Sequence, residues 1–286
     1  MAKLKSDAIE LKDLNEYLVS DSDFSFEMSV FRELRSQHLK CEHGGHYEDP
    51  VTKKSREFDF RAVFESGNCR VRMAIECKNI RENFPLLVSQ VPRELEEAYH
   101  EFAIVVGSPD ARLSHLPGQA RPLRVANSRM YPPNVGVVKS TAQVGRLPDS
   151  TITANDAEIY EKWGQSLASA VDLVTRIGDE AIAGGAGLPI FTTVVPLVVV
   201  PNGRLWAVNY DTNGQQLGEP QQVDRASCYV GKSYRLSVSR PGGLTLSHLE
   251  IVTFGGLFKF IESKLRDTAF LFPGHAVERA MRANGY

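Results

Sequence analysis

The chain lacks any apolar run approaching the roughly 18 residues that a membrane-crossing helix needs. Its first residues, MAKLKSDAIELKDL, lack the uninterrupted apolar stretch of a secretory signal. Cysteine is scarce, and Cys41, Cys69, Cys77 and Cys228 form no Cys-x-x-Cys pair. A reduced, cytoplasmic setting without membrane attachment is the expectation. An excess of one charge is also missing. The net charge is −2, so nothing draws the whole molecule to nucleic acid, and any such footprint must be local. Gly184-Gly185-Ala186-Gly187 is followed by neither G-x-G-x-x-G nor G-K-[ST], so it reads as a helix end and linker rather than a phosphate loop. No internal repeat is visible, and no organic cofactor is expected.

The informative stretch is REFDFRAVFESGNCRVRMAIECKN, residues 56–79. Phe58, Phe60, Ala62 and Phe64 alternate with Asp59, Arg61 and Val63, which is the period of a strand. Val71, Met73, Ile75 and Cys77 alternate with Arg72, Ala74, Glu76 and Lys78 in the same way. Gly67-Asn68 between them suits a two-residue hairpin turn, in which both positions tolerate positive φ. With that turn, Ser66 pairs with Cys69 and Asp59 comes opposite Glu76. Opposed like charges destabilise a strand pair. A divalent cation between the carboxylates removes the conflict, since Mg²⁺ is held by one or two carboxylates together with water and phosphate oxygens. Lys78, two residues beyond Glu76, is expected on the same face.

An acid on one strand followed by acid-x-Lys on the next resembles the PD-(D/E)xK nucleases, the restriction-endonuclease-like superfamily. The lead-in from Gly44-Gly45-His46-Tyr47-Glu48-Asp49-Pro50 to Arg56-Glu57-Phe58-Asp59 is similar to that of some Mrr-like members. The resemblance covers residues 24–107. It implies Mg²⁺ (or Mn²⁺) on Asp59, Glu76 and the backbone carbonyl of Cys77, and catalysis by Asp59, Glu76 and Lys78. It also implies a Glu on the preceding helix, for which Glu27 is the candidate. Gln90 falls twelve residues past Lys78, just before the helix expected from Pro92; some members carry a Gln or a basic residue at such a position, close to the attacking water, and Gln90 is noted for that role.

Elsewhere, residues 5–19 read as an amphipathic helix on Ile9, Leu11, Leu14 and Leu18, and residues 24–37 as a second helix with N-caps among Asp21, Ser22 and Asp23. On this second helix Glu27 shares the stripe of Val30, Phe31 and Leu34, where an unpaired acid is costly. A first strand is placed near residues 38–48. Cys41, His43 and His46, with His38 upstream, cluster without a structural zinc spacing. Pro92 is placed as the first residue of a helix over 92–100, and residues 102–106 as a buried strand. No acid occurs between Ala111 and Pro148, and Arg112, Arg121, Arg124 and Arg129 make this Pro- and Gly-rich stretch a candidate phosphate-binding loop. Asn155-Asp156-Ala157-Glu158 resembles a capping box opening a long helix to about residue 182. Strands are expected at 193–200, 205–210, 228–238 and 244–252, with hairpin turns at Asn202-Gly203 and Asn213-Gly214, and a helix over 255–265.

The expected fold is therefore α/β. A restriction-endonuclease-like core, a mixed sheet flanked by helices, fills residues 1–150, and residues 151–286 add a long helix and an antiparallel, strand-rich elaboration of the same fold. The expected activity is metal-dependent phosphodiester hydrolysis, with DNA as the first substrate and a homodimer as a possible assembly. The alternatives are a non-catalytic nucleic-acid-binding or scaffold module of the same fold, and a nuclease for RNA or branched substrates.

Overall fold

The computed structural model of the chain describes residues 7–20, 22–106, 119–183, 190–236 and 243–262. Helices α1 (Leu11–Ser20) and α2 (Phe24–Ser36) lead into strands β1 (Lys40–Glu48), β2 (Ser55–Ser66) and β3 (Cys69–Cys77). Next come β4 (Leu86–Pro92), a 3₁₀ turn at Leu95–Glu97, β5 (Tyr99–Val106), β6 (Gln119–Ala126), β7 (Gly136–Arg146) and β8 (Ile152–Asn155). The long helix α3 (Ala157–Ala183) is followed by β9 (Ile190–Val200), β10 (Leu205–Tyr210), β11 (Gln216–Gln222), β12 (Arg225–Arg235), β13 (Gly243–Thr253) and α4 (Phe254–Phe260).

All thirteen strands belong to one mixed sheet. Its main path runs β1-β2-β3-β9-β13-β12-β7-β4-β10-β11, with β5 and β6 attached at the start of β9 and β8 at the edge of β7. β1, β2 and β3 are antiparallel, and β9 lies parallel to both β3 and β13. Helices cover both faces around β3 and β9. Met73, Ile75, Leu197 and Val199 pack on Val30 and Leu34 of α2 and on Leu257 and Phe260 of α4. Ala74 and Val194, which alternate with them, pack on Ala170, Val174 and Ile177 of α3. Burial on both faces is why β9 is almost continuously apolar.

Several expectations change. The apolar side chains of α1 are not buried; Leu11 and Leu18 are exposed. The helix expected over residues 92–100 is absent, because Gln90, Val91 and Pro92 are committed to a ladder with Val138, Val137 and Gly136 of β7. Pro92 ends that strand instead of opening a helix, and only a 3₁₀ turn follows. The acid-free stretch expected to be a loop contains β6 and β7, and its prolines and glycines fall mostly between them or at their ends. Gly203 has the expected positive φ of +74°, but Asn202-Gly203 closes no hairpin. β10 leaves β9 and joins β4 in parallel, while the Asn202 side chain accepts from the Gly255 N–H. Asn213-Gly214 does join an antiparallel pair, β10 and β11. The second half is thus not a purely antiparallel elaboration, since β9, β10 and β12 each join an earlier strand in parallel. The Gly184–Gly187 linker and most of the helix end expected near 265 lie outside the described residues.

The seam between α3 and the sheet has a specific fastening. Pro196 stands within β9 and cannot donate to a ladder. One residue on, the fully buried Ser166 hydroxyl of α3 accepts from the Leu197 N–H at 2.9 Å and donates to the Ala74 carbonyl of β3 at 3.1 Å. Ser166→Ala removes that bridge and leaves a buried donor and acceptor to re-pair. The expected loss is about 1–3 kcal/mol in urea unfolding. A change below about 0.5 kcal/mol would mean that the two strands close the gap by themselves.

Candidate active site

The site begins at the β2–β3 turn. Gly67 has φ +55°, whereas Asn68 is not left-handed, so the turn needs positive φ at its first position only. The register is the one read from the turn, from Ser66 opposite Cys69 to Phe60 opposite Ile75. The next residues on the two strands are Asp59 and Glu76. Asp59 Oδ2 accepts a 2.7 Å hydrogen bond from the Cys77 N–H, and Glu76 is 1% exposed.

A lysine from a distant part of the chain lies between the acids. Lys162, in the second turn of α3, places Nζ 3.0 Å from Asp59 Oδ2 and 3.5 Å from Glu76 Oε2. Helix α3 is held in place for this. Asn155 Oδ1 accepts from the Ala157 N–H at its start. Farther along, Arg61 of β2 reaches Asp172 at 2.7 Å and the Ser169 hydroxyl at 3.2 Å, and Arg72 of β3 pairs with Glu180. The sequence did carry a faint signal for Lys162. Lys162, Ser166 and Ser169 form a polar row at helical spacing beside the apolar stripe of Ile159, Trp163, Leu167 and Val174.

Electrostatics follow from this geometry. Burial, reinforced by the Asp59 charge, raises the Glu76 carboxyl well above the ordinary range. Burial alone would lower the Lys162 ammonium, but Asp59 and Glu76 together outweigh it and hold the pKa above that of a free lysine. One cation thus lies between two acids, and Glu76 holds its proton more tightly than a free glutamate. Glu76 Oε1 is buried with no hydrogen-bond partner. Glu27, half-buried on α2, is raised to about 7, first by burial and then by Asp59. The Cys77 thiol is fully buried and pushed up, so the backbone carbonyl is the group this residue can offer to a metal.

The other expected residues are placed differently. Lys78 follows the last residue of β3, and its amide continues the ladder to the Val199 carbonyl. Its Nζ lies 3.5 Å from Asp23 and 3.2 Å from Glu158, at the start of α2 and of α3. Asp23 is the N-cap residue of α2 but makes no side-chain cap; its Oδ1 accepts from the Asn79 N–H instead. Gln90 is in β4, five strands from β3 along the sheet, and packs over Gly136. Arg112 lies outside the described residues. Arg121 and Arg124 are on β6, beside the start of β9. Arg121 pairs with Ile104, which pairs with Phe191, and Phe191 is seven residues from Val198, the partner of Glu76. That separation is about 23 Å along the strand. Arg124 lies over the Tyr99 ring at 3.5 Å and bonds the Glu96 carbonyl. Arg129 is exposed between β6 and β7. Neither Arg121 nor Arg124 is gathered with the acids. Nor do the histidines near Cys41 form a zinc site. His43 is packed between the rings of Phe31 and Phe60, with centroids 5.1 and 5.0 Å away. Among the described residues no group of three or more His, Cys, Asp and Glu side chains forms a ready metal cage.

Glu27 and Glu76 both hold a proton more tightly folded than unfolded. Their contribution to stability is whole below the ordinary glutamate pKa of 4.5, and for Glu27 it is lost as pH rises through about 7. Glu27→Gln should therefore leave stability unchanged at pH 4 and raise it at pH 8, in EDTA, by about 1–2 kcal/mol after allowing for solvent screening of a half-exposed group. Urea midpoints at the two pH values check this. An equal effect at both would show that Glu27 ionises as a free carboxylate.

Comparison of the chain with protein-family models, with curated proteins and with solved structures gives no match.

Proposed function

We propose that the chain is a metal-dependent phosphodiesterase of the restriction-endonuclease-like kind, with DNA as its first substrate, and that Asp59, Glu76 and Lys162 form its centre. The observation that carries the reading is the buried Glu76 carboxyl beside Asp59. It has one oxygen without a partner, one residue before the end of β3. An unsatisfied buried acid oxygen beside a second acid is expensive, and a bound cation would relieve it. The order of elements supports the same reading. A helix (α2), three antiparallel strands (β1, β2, β3), a helix (α3) and a strand parallel to the third (β9) follow each other, with residues 78–156 inserted before α3.

The donor set suits Mg²⁺ or Mn²⁺. Asp59 and Glu76 would hold the ion with the Cys77 carbonyl, and Glu27 would join them once ionised. When bound, the ion supplies Lewis acidity at a phosphate oxygen and a more acidic water. The protein contributes the rest. Asp59 is oriented by the Cys77 N–H. Lys162, rather than Gln90, is the basic group on the helix that reaches the acids. Freed from one carboxylate, its ammonium can orient a water or neutralise charge building on a phosphate oxygen. Lys78, at the rim, is placed to meet a phosphate of the bound strand.

A second reading has its own observation. Lys162 already bridges both acids, as it would in a non-catalytic scaffold that had replaced a metal by an ammonium. Metal response separates the two. Asp59→Asn and Glu76→Gln should each abolish Mg²⁺-dependent nicking of plasmid and the thermal stabilisation that Mg²⁺ gives the wild type. Lys162→Met should keep or increase that stabilisation, because a competing cation is gone, yet lower cleavage by about 10²–10³-fold. If the wild type neither cleaves DNA or RNA nor gains stability with Mg²⁺ or Mn²⁺, the scaffold reading replaces the enzyme.

A further inference from the structure

Just past the end of β3 lies a cavity of about 440 Å³, with the Lys78–Glu158 ion pair in its wall. Its walls come from the segment after β3, from the end of β7 and from the start of α3, and include Lys78, Arg81, Phe84, Gln143, Arg146 and Glu158. Three cations thus face one carboxylate, in a protein whose net charge is −2. The Arg146 guanidinium is fixed at its turn by a 2.9 Å bond to the Ser150 carbonyl. The half-buried Phe84 ring rests on Gly145, where an added Cβ would fall 2.5 Å from the ring. Glycine at that position therefore lets an aromatic surface lie directly on the strand. The volume falls within the range of pockets that enclose a small organic ligand.

Clustered cations and one aromatic ring in a chamber of this size suit a single phosphorylated nucleotide. The phosphate is drawn to the cations, and the base to the ring, whose face accepts any base. Lys78 joins this chamber to the acids, since it follows Glu76 by two residues and forms one wall. We propose that the cavity holds one unpaired nucleotide of the bound strand, next to the phosphate at the acid pair, with its own phosphate on Arg81 and Arg146 and its base on Phe84. Only the source of the nucleotide rests on the nuclease reading. A base held this way cannot remain paired, so the substrate is expected to be single-stranded or frayed at this position.

The test is binding by the full-length chain in EDTA, followed by anisotropy of a fluorescein-labelled 12-nucleotide DNA strand and its duplex, with dAMP and inorganic phosphate as competitors. The single strand should bind more tightly than the duplex. Arg81→Gln/Arg146→Gln should weaken it at least 10-fold and reduce the slope of log affinity on log salt by about 0.7, the value for one phosphate on a single strand. Phe84→Leu should weaken it about 5-fold or more without changing the slope. Both arginines are at the surface, so these variants should keep the wild-type melting temperature. Full-strength binding in both variants, or tighter binding of the duplex, overturns the proposal. Competition by dAMP as effective as that by the strand overturns its assignment to a polymer. Loss of binding in the variants of a wild type that never cleaves leaves the nucleotide site standing and removes only the enzyme reading.

Discussion

Two acidic side chains forced together at the end of a hairpin are the constraint around which this structure is arranged. The ladder between β2 and β3 runs up to Phe60 and Ile75, the residues next to Asp59 and Glu76, and Glu76 is shut off from water. Such an arrangement is tolerable only with a cation, a proton, or both. The protein uses both. Lys162 stands between the acids, and Glu76 keeps its proton far above the usual range. Anything that draws the proton away must supply positive charge in its place, which is what a divalent ion and a phosphate-bearing substrate do together.

Bringing Lys162 there requires a long helix set firmly on the sheet, and α3 is fastened at several points along its length. Near the acids, Ser166 ties it to β3 and β9. Farther along, buried Arg61 meets Ser169 and Asp172, and Arg72 meets Glu180. Arg61 and Arg72 are buried charges with direct partners, and removing a partner from a buried charge costs more than a surface pair is worth. Strand β9, next after α3, then lies between β3 and β13. The acid-bearing hairpin is thereby built into the same sheet as the second half of the chain. A further buried ion pair stabilises that second half, where Arg225 grips Glu250 through two bonds of 2.7 and 2.9 Å.

The hairpin, its register and the start of α3 were legible because they depend on short-range chemistry. Gly67 fixes a turn, alternation fixes the faces, and Asn155 caps a helix, all within a few residues. The same local signals misled at Pro92, where a good helix-opening residue lies at the end of a strand already paired with β7. Nor could they supply the partners of Lys78, since Asp23 and Glu158 come from distant parts of the chain.

The sequence by itself determined an α/β chain, a hairpin that opposes Asp59 to Glu76, and a long amphipathic helix after residue 155. Tertiary structure alone decided which cation meets those acids. Lys162 is 103 residues from Asp59 in the chain, and its position depends on α3 crossing the sheet so that β9 can pair in parallel with β3. Tertiary structure also decided that Gln90 and the arginines of β6 lie away from the site, because strand order in a thirteen-stranded sheet is set by long-range pairing. Periodicity reports which face of a strand is buried. It carries no information about which strand will be its neighbour.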